Sequence, residues 1–150
     1  MQFHRPETVE AALHLMAGQP VRILAGGTDF FPALGGRTAT DPVIDLSRIE
    51  GLSGISKSGG VWRFGATTTW SEIRDADLPA QFLALQQAAR EVGSIQIQNA
   101  GTIAGNLCNA SPAADGVPPL LALDAEVEIA GPAGTRVLPL DHFITGVRQT

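Results

Sequence analysis

The stretch ILAGGTDFFPAL (residues 23–34) begins as a buried strand and then changes abruptly to Gly26-Gly27-Thr28. Glycine tolerates positive φ and has no Cβ, so the backbone N–H groups of such a turn can close around an anion. Thr28 adds a hydroxyl at the start of an apolar segment, where the N–H groups of a helix are unpaired. The turn is therefore either a phosphate-binding loop or an ordinary strand-to-helix turn. It matches neither GxGxxG nor a Walker A sequence.

A second stretch, NAGTIAGNLCNASPAAD (residues 99–115), combines small and polar residues. Small residues allow a flat ligand to approach the backbone, and polar side chains supply hydrogen bonds to amide, hydroxyl and phosphate groups. The polar positions are Asn99, Thr102, Asn106, Asn109, Ser111 and Asp115. The alternative is an Asn-rich surface loop with turn chemistry. Two such segments in one small chain make that alternative weaker.

The bulk composition indicates a globular chain of ordinary domain size and excludes some partners. The 150 residues are 44% hydrophobic and carry a net charge of −5, with a pI near 5.0. This charge argues against nucleic acid and anionic membranes, because both attract basic patches. The sequence shows no signal peptide or membrane span, and its single cysteine cannot form an internal disulfide. We therefore expect a cytoplasmic location.

Periodicity predicts a mixture of helices and strands. The segment TVEAALHLMAG has apolar residues at helical spacing, with Thr8 as N-cap and Gly18 as its end. A second helix at residues 80–91 places Phe82, Leu85, Ala89 and Val92 on one face. Strands are predicted at residues 21–24 and 41–46, hairpins around Gly59-Gly60 and residues 131–134, and short helices at 68–76 and 117–123. The pattern indicates an α+β fold with a seam near residues 51–60.

The two motifs LAGGTDFFPAL and GTIAGNLCNASPAADGVPPLLALDAEVEI resemble the FAD-binding domain of the molybdenum hydroxylase flavoproteins. This family includes the medium subunit of carbon monoxide dehydrogenases and the flavin segment of xanthine dehydrogenases. The resemblance covers nearly the whole chain, and two separated motifs in the expected order make it specific. It implies an α+β fold of the two-subdomain PCMH type, divided into residues 1–55 and 56–150.

The resemblance also assigns cofactor contacts. In the family, backbone amides of the first loop hold the FAD pyrophosphate, and a second loop completes the enclosure. Asn109, Ser111 and Asp115 match further family positions, the first and last of them on the FAD side. A carboxylate such as that of Asp115 can accept hydrogen bonds from ribose hydroxyls. The cofactor-binding residues predicted in this way are Ile23, Leu24, Ala25, Gly26, Gly27, Thr28, Thr102, Gly105, Asn106, Asn109 and Asp115.

Two features depart from the family pattern. Ala104-Gly105 stands where the family often has Gly-Gly, which matters only if that position needs positive φ or direct backbone contact with the flavin. Family flavoproteins also continue through further strands and a C-terminal domain, whereas this sequence stops at Thr150. We therefore expect a chain truncated at its C-terminus, with subdomain 2 incomplete and the usual C-terminal domain absent.

The function implied by the resemblance is that of an oxidoreductase: the FAD-binding electron-transfer subunit of a molybdenum hydroxylase-type dehydrogenase. Electrons would pass from [2Fe–2S] clusters through FAD to a terminal acceptor. The implied partners are an iron–sulfur subunit and a large subunit that carries the molybdenum cofactor, in a multisubunit complex. One alternative is a truncated, non-catalytic module of the same fold that no longer binds FAD. The other is a stand-alone PCMH-type flavin oxidase.

No catalytic residue and no metal ligand is predicted. His4, His14 and His142 are scattered and are predicted to be structural or surface residues, without metal-ligand spacing to Cys108. Packing is favoured over redox chemistry for Cys108, because nothing nearby in sequence supplies a base or a positive charge. Among the aromatic residues, Trp62 and Trp70 are predicted to be core or subunit-interface residues, whereas Phe30 and Phe31 remain open between core packing and the flavin side.

Overall fold

The computed structural model describes residues 2–150, in which helices and strands are mixed, so the predicted α+β class is confirmed. The strands are β1 (Phe3–His4), β2 (Arg22–Leu24), β3 (Val43–Asp45), β4 (Ile55–Ser58), β5 (Val61–Phe64), β6 (Glu126–Gly131) and β7 (Gly134–Pro139). The helices are α1 (Val9–Met16), α2 (Phe30–Leu34), α3 (Trp70–Asp75), α4 (Leu83–Glu91), α5 (Ile95–Ala100), α6 (Ile103–Asn109), α7 (Val117–Ala122) and α8 (Leu140–Phe143). None of these helices is long and apolar enough to cross a membrane.

The first three strands form a small parallel sheet in the order β1-β3-β2. Helix α1 connects β1 to β2, and the predicted N-cap Thr8 accepts a hydrogen bond from the Ala11 amide at 3.1 Å. The central strand β3 is buried along its whole length. Strand β2 lies at an edge, so its side chains are covered unequally: Leu24 is buried and Ile23 is 42% exposed. The prediction of a buried strand is therefore right for Leu24 and wrong for Ile23.

Two antiparallel hairpins, β4–β5 and β6–β7, follow in the later part of the chain. Their turns lie at Gly59-Gly60 and at residues 131–134, as predicted. Arg63 of β5 donates a hydrogen bond from Nη2 to Oε1 of Glu128 in β6 at 2.8 Å. Both side chains are exposed, so this ion pair contributes little stability. The hairpins are held mainly by the apolar core beneath them.

The larger core is built on the predicted apolar face of the helix at residues 80–91. That segment begins with one 3₁₀ turn and continues as α4. Trp70 and Ile73 of α3 belong to the same cluster and are 1% and 0% exposed. The prediction that Trp70 is a core residue is therefore confirmed. The predicted face is buried at all four positions: Phe82, Leu85, Ala89 and Val92.

Apolar side chains cluster separately in the earlier and later parts of the chain. Two small clusters involve residues between 9 and 52, whereas the larger core involves residues between 55 and 144. The change falls within the seam predicted at residues 51–60. Backbone hydrogen bonds nevertheless cross it, for example from the Thr67 amide to the Leu52 carbonyl at 2.7 Å. The assignment of residues 1–55 and 56–150 as two subdomains stays a prediction.

A buried carboxylate ties the end of β3 to the segment before α1. Asp45 Oδ2 accepts a hydrogen bond from Arg5 Nε at 2.9 Å, and its Oδ1 accepts one from the Ser47 amide at 2.9 Å. Burial by itself raises the pKa of Asp45, but the hydrogen bonds from Ser47 and Arg5 and the positive charge of Arg5 outweigh it. The pKa of Asp45 therefore lies below its ordinary value of 3.8.

Ionised Asp45 stabilises the fold above the pKa of the unfolded chain, and this contribution is lost as the pH falls through the lower pKa of the folded state. We expect Asp45→Asn to lower the free energy of unfolding at neutral pH by about 1–3 kcal/mol. It should also weaken the dependence of that free energy on pH between about 5 and 3. Urea denaturation across this range measures both, with exposed Asp77→Asn as the control. An unchanged pH dependence in Asp45→Asn would contradict the assignment.

Candidate functional site

The first motif presents a run of backbone N–H groups without acceptors. Strand β2 ends at Leu24 and α2 begins at Phe30, and the N–H groups of residues 25–30 donate no hydrogen bond to any part of the chain from residue 2 to residue 150. Gly27 lies in the turn with a φ of +75°, a conformation that side-chain-bearing residues rarely adopt. Consecutive free N–H groups at the start of a helix form a concave surface of partial positive charge. This geometry suits an anionic ligand.

Gly26 is in direct contact with the second motif. A Cβ on Gly26 would lie 1.8 Å from the carbonyl oxygen of Ala100 and 3.0 Å from Cα of Gly101. A Cβ on Gly101 would in turn lie 3.5 Å from Oγ1 of Thr28. The two motifs therefore meet backbone to backbone. Gly26 is required by lack of space, whereas Gly27 is required by its backbone conformation.

The first part of the second motif is helical, which corrects its interpretation as a loop there. The end of α5 and all of α6 lie within it, separated by Gly101 and Thr102, whereas residues 110–115 form no helix. Thr102 is buried and caps α6, because its Oγ1 accepts a hydrogen bond from the Gly105 amide at 3.1 Å. Gly105 stands close to this cap, since a Cβ there would lie 2.8 Å from the same oxygen. Threonine at an N-cap allows helix formation in a segment that is otherwise poor in helix-favouring residues.

Asn106, in the middle of α6, carries a buried acceptor without a donor. Its Oδ1 is buried and has no hydrogen-bond partner among the described residues. The oxygen lies 3.0 Å from the position that a Cβ on Gly116 would occupy, beside the ring of Trp70. Leaving a buried carbonyl oxygen unpaired costs about 1–3 kcal/mol. Such an atom needs a hydrogen-bond donor, which a bound molecule or an ordered water can supply.

The remaining predicted residues are not drawn into this contact. Asn109, at the end of α6, accepts a hydrogen bond from the Arg148 guanidinium at both its side-chain and its backbone oxygen. The Asp115 carboxylate is exposed and makes no hydrogen bond to the described residues. Ser111 accepts a hydrogen bond from the Ala113 amide at 3.2 Å, a local turn interaction. Asp115 is nevertheless adjacent in sequence to Gly116, the residue that lies beside Asn106 Oδ1.

The surroundings of the site hold no cluster of reactive groups. Within residues 2–150 there is no group of three or more His, Cys, Asp or Glu side chains placed to bind a metal ion. Cys108 is exposed on α6, which corrects the assumption that it is buried. The preference for packing over redox chemistry stays a prediction. Burial of its sulfur by neighbouring atoms still raises the pKa of the thiol, which favours the protonated and less reactive form.

Two surface grooves lie away from the glycine turn. One, of about 510 Å³, separates α1 from the turn between β6 and β7. The other, of about 370 Å³, lies between the end of the second motif (residues 110–114), the start of α7 and residues 144–147. Neither is lined by the free N–H groups of residues 25–30. Neither groove therefore identifies the glycine turn as the candidate site. The unpaired donors and the unpaired acceptor locate it, because they are the groups that need partners.

Residues 1–150 match the protein family described as "FAD binding domain in molybdopterin dehydrogenase". The chain belongs to this family. It is 37% identical over 150 residues to the nicotinate dehydrogenase FAD-subunit of Eubacterium barkeri, a match that covers 97% of this chain and 51% of that protein. It is 34% identical over 148 residues to the xanthine dehydrogenase FAD-binding subunit of Escherichia coli O157:H7, covering 96% and 51% of the two chains.

A solved structure shows the same fold. Reconstituted CO dehydrogenase from Oligotropha carboxidovorans superposes with a TM-score of 0.92 at 31% identity, covering 100% of this chain and 54% of that one. This FAD-binding domain therefore spans about half the length of the relatives it matches. The predicted family and fold are confirmed, and the predicted cofactor is the one for which the family is described.

The residues of this FAD-binding domain fit a molecule that contains a diphosphate. The free N–H groups of residues 25–30 can donate to phosphate oxygens, and Asn106 Oδ1 can accept from a hydroxyl or amide donor. The sequence indicated the first group through its glycines. It did not indicate Ala100, whose carbonyl explains Gly26, or Trp70, whose ring lies beneath Gly101 and Gly116. Nothing in the local sequence of these two residues distinguishes them from ordinary helix and core positions.

We expect Gly26→Ala to lower the free energy of unfolding by at least about 3 kcal/mol without any cofactor present, because the added Cβ would overlap a backbone carbonyl that cannot rotate away. Gly131→Ala is the matched control, since a Cβ there meets only the Gly134 carbonyl at 3.7 Å. Its effect should stay below about 1 kcal/mol. Urea denaturation of both variants measures the difference. If Gly26→Ala were as stable as Gly131→Ala, the contact between the two motifs would have to rearrange at little cost, which would contradict the prediction.

Proposed function

We propose that this chain is the FAD-binding part of the electron-transfer subunit of a molybdenum hydroxylase-type dehydrogenase. The observation that carries the proposal is the run of free N–H groups at residues 25–30, held against the second motif by Gly26. Backbone N–H groups suit a diphosphate in an acidic chain, because they supply partial positive charge without basic side chains. The names of the relatives, which are FAD-binding subunits of dehydrogenases, support the same conclusion.

Each part of the site has a separate task in this proposal. The N–H groups of residues 25–30 bind the diphosphate, with the Thr28 hydroxyl as an additional donor. Thr102 fixes the start of α6, so that Asn106 presents its buried Oδ1 to a donor on the cofactor. Asp115 accepts hydrogen bonds from ribose hydroxyls. Ile23, Leu24 and Ala25 form the end of β2 and the start of the turn, and they position the turn beside the cofactor.

The bound cofactor would place the chain within an electron-transfer complex. FAD exchanges electrons singly or in pairs, which allows one-electron carriers to be joined to a two-electron acceptor. The partners in this proposal are an iron–sulfur subunit with [2Fe–2S] clusters and a large subunit with the molybdenum cofactor. Residues 1–55 and 56–150 would form two subdomains that enclose FAD between them. Their contact at Gly26 and Ala100 supports this arrangement.

The direct test is a titration of the purified chain with FAD, followed by flavin fluorescence and visible absorption. We expect binding by the wild type and its loss in Gly27→Val, because a branched side chain would meet the Phe31 ring and require the unfavourable φ of +75°. Gly36→Val is the matched control, with a φ of +81° and open space around its Cβ position. Wild-type FAD affinity in Gly27→Val would remove the turn from the site. No binding by the wild type would favour a module of this fold that does not hold FAD.

Asn106→Leu separates stability from binding. Leucine has a similar size but no acceptor to leave unpaired, so we expect the melting temperature without FAD to stay the same or rise by a few degrees. FAD affinity should fall about tenfold, because a hydrogen bond to a buried acceptor is lost. Thermal denaturation with and without FAD measures both effects. A variant that is destabilised without FAD and binds it normally would show that Asn106 is only structural.

A further inference from the structure

Phe31 is an exposed aromatic residue that nevertheless packs against its neighbours. The residue is 58% exposed, yet its Cε2 atom lies 2.7 Å from the position that a Cβ on Gly27 would occupy. The ring also meets Phe30 edge to face, with centroids 5.3 Å apart and an angle of 85° between the planes. It therefore rests on the glycine turn, where any residue other than glycine would displace it.

Phe30 holds this arrangement in place. It is half-buried against the cluster that contains Leu24 and Val43, and the Arg22 guanidinium lies 4.9 Å from its ring centroid. Its opposite surface is therefore occupied by protein. The sequence left Phe30 and Phe31 open between core packing and the flavin side, and the structure separates them: Phe30 packs, whereas Phe31 stays exposed. Of the two residues, Phe31 therefore has more surface available to a bound molecule.

An exposed apolar residue alone indicates no ligand, because single ones are common on protein surfaces. The neighbourhood of Phe31 is more specific. Its ring covers Gly27, and the N–H groups of residues 25–30 beside it have no acceptor within the described chain. Unpaired N–H donors that can bind an anion therefore lie next to an exposed aromatic ring. Covering that ring with an apolar group would be favourable, because it removes apolar surface from water. A molecule that joins a diphosphate to flat apolar rings satisfies both.

We propose that Phe31 contacts FAD directly, as an apolar wall beside the turn that binds the diphosphate. This inference rests on the function proposed above and adds a residue outside the predicted cofactor set. Binding would bury the exposed part of the ring, which already packs against Gly27 and Phe30 on its other side. Phe31 also gives Gly27 a second requirement, since a side chain at residue 27 would displace the ring as well as strain the backbone.

The test compares Phe31→Ala with wild type by FAD titration, using quenching of flavin fluorescence as the readout. We expect the dissociation constant to rise about tenfold or more, because contact with an aromatic ring is lost. The melting temperature without FAD should change by only a few degrees, since the ring is mostly exposed. Phe3→Ala is the matched control: Phe3 is 41% exposed and lies on β1, at the opposite edge of the same sheet. It should leave FAD affinity unchanged.

Phe31→Leu provides a second measurement if Phe31→Ala unfolds, and its FAD affinity should lie between those of Phe31→Ala and wild type. Titration with ADP then locates the contact: a matching loss places the ring at the adenine half, and an effect seen with FAD alone places it at the flavin half. Wild-type FAD affinity in both Phe31 variants would overturn the inference while the proposed function stands. Failure of the wild type itself to bind FAD would overturn both.

Discussion

The absence of a side chain at Gly26 is the constraint on which the candidate site depends. The Ala100 carbonyl occupies the space that any Cβ would need, so the turn after β2 and the segment between α5 and α6 can meet only through bare backbone. That contact sets where the free N–H groups of residues 25–30 lie relative to α6. It also joins a small parallel sheet to a larger helical core whose apolar clusters are otherwise separate.

The sequence predicted the elements whose signals are local. Helix α1 was indicated by apolar spacing and by the Thr8 cap, and both hairpins by the glycines in their turns. Helices α5 and α6 were not, because glycine, asparagine and threonine in that segment favour turns when considered alone. Their helical state depends on caps by Ser94 and Thr102 and on burial of residues such as Ile103 and Leu107 against the core. Tertiary packing of this kind leaves no periodic signal in so short a segment.

The same distinction applies to the site. The positive φ expected of the glycine turn is found at Gly27. Thr102 was predicted as a cofactor contact, and in the structure it caps α6, a role that the sequence analysis did not assign. The reason for Gly26 was different from the one predicted, because it involves a carbonyl from a distant part of the chain. The unpaired Oδ1 of Asn106 and the exposed ring of Phe31 depend on which neighbours are absent. The side chain of Asn109 is bound to Arg148, which no local pattern shows.

The contact between Gly26 and Ala100 also has a consequence for the order of folding. It closes a long loop in the chain, and such non-local contacts form late because the entropy of closure must be overcome first. The contacts within the parallel sheet and α1 lie in the first 52 residues, so they are comparatively local in sequence. The turn after β2 reaches its final neighbours only when α5 packs against it. The free N–H groups of residues 25–30 therefore gain their final surroundings in a late step of folding.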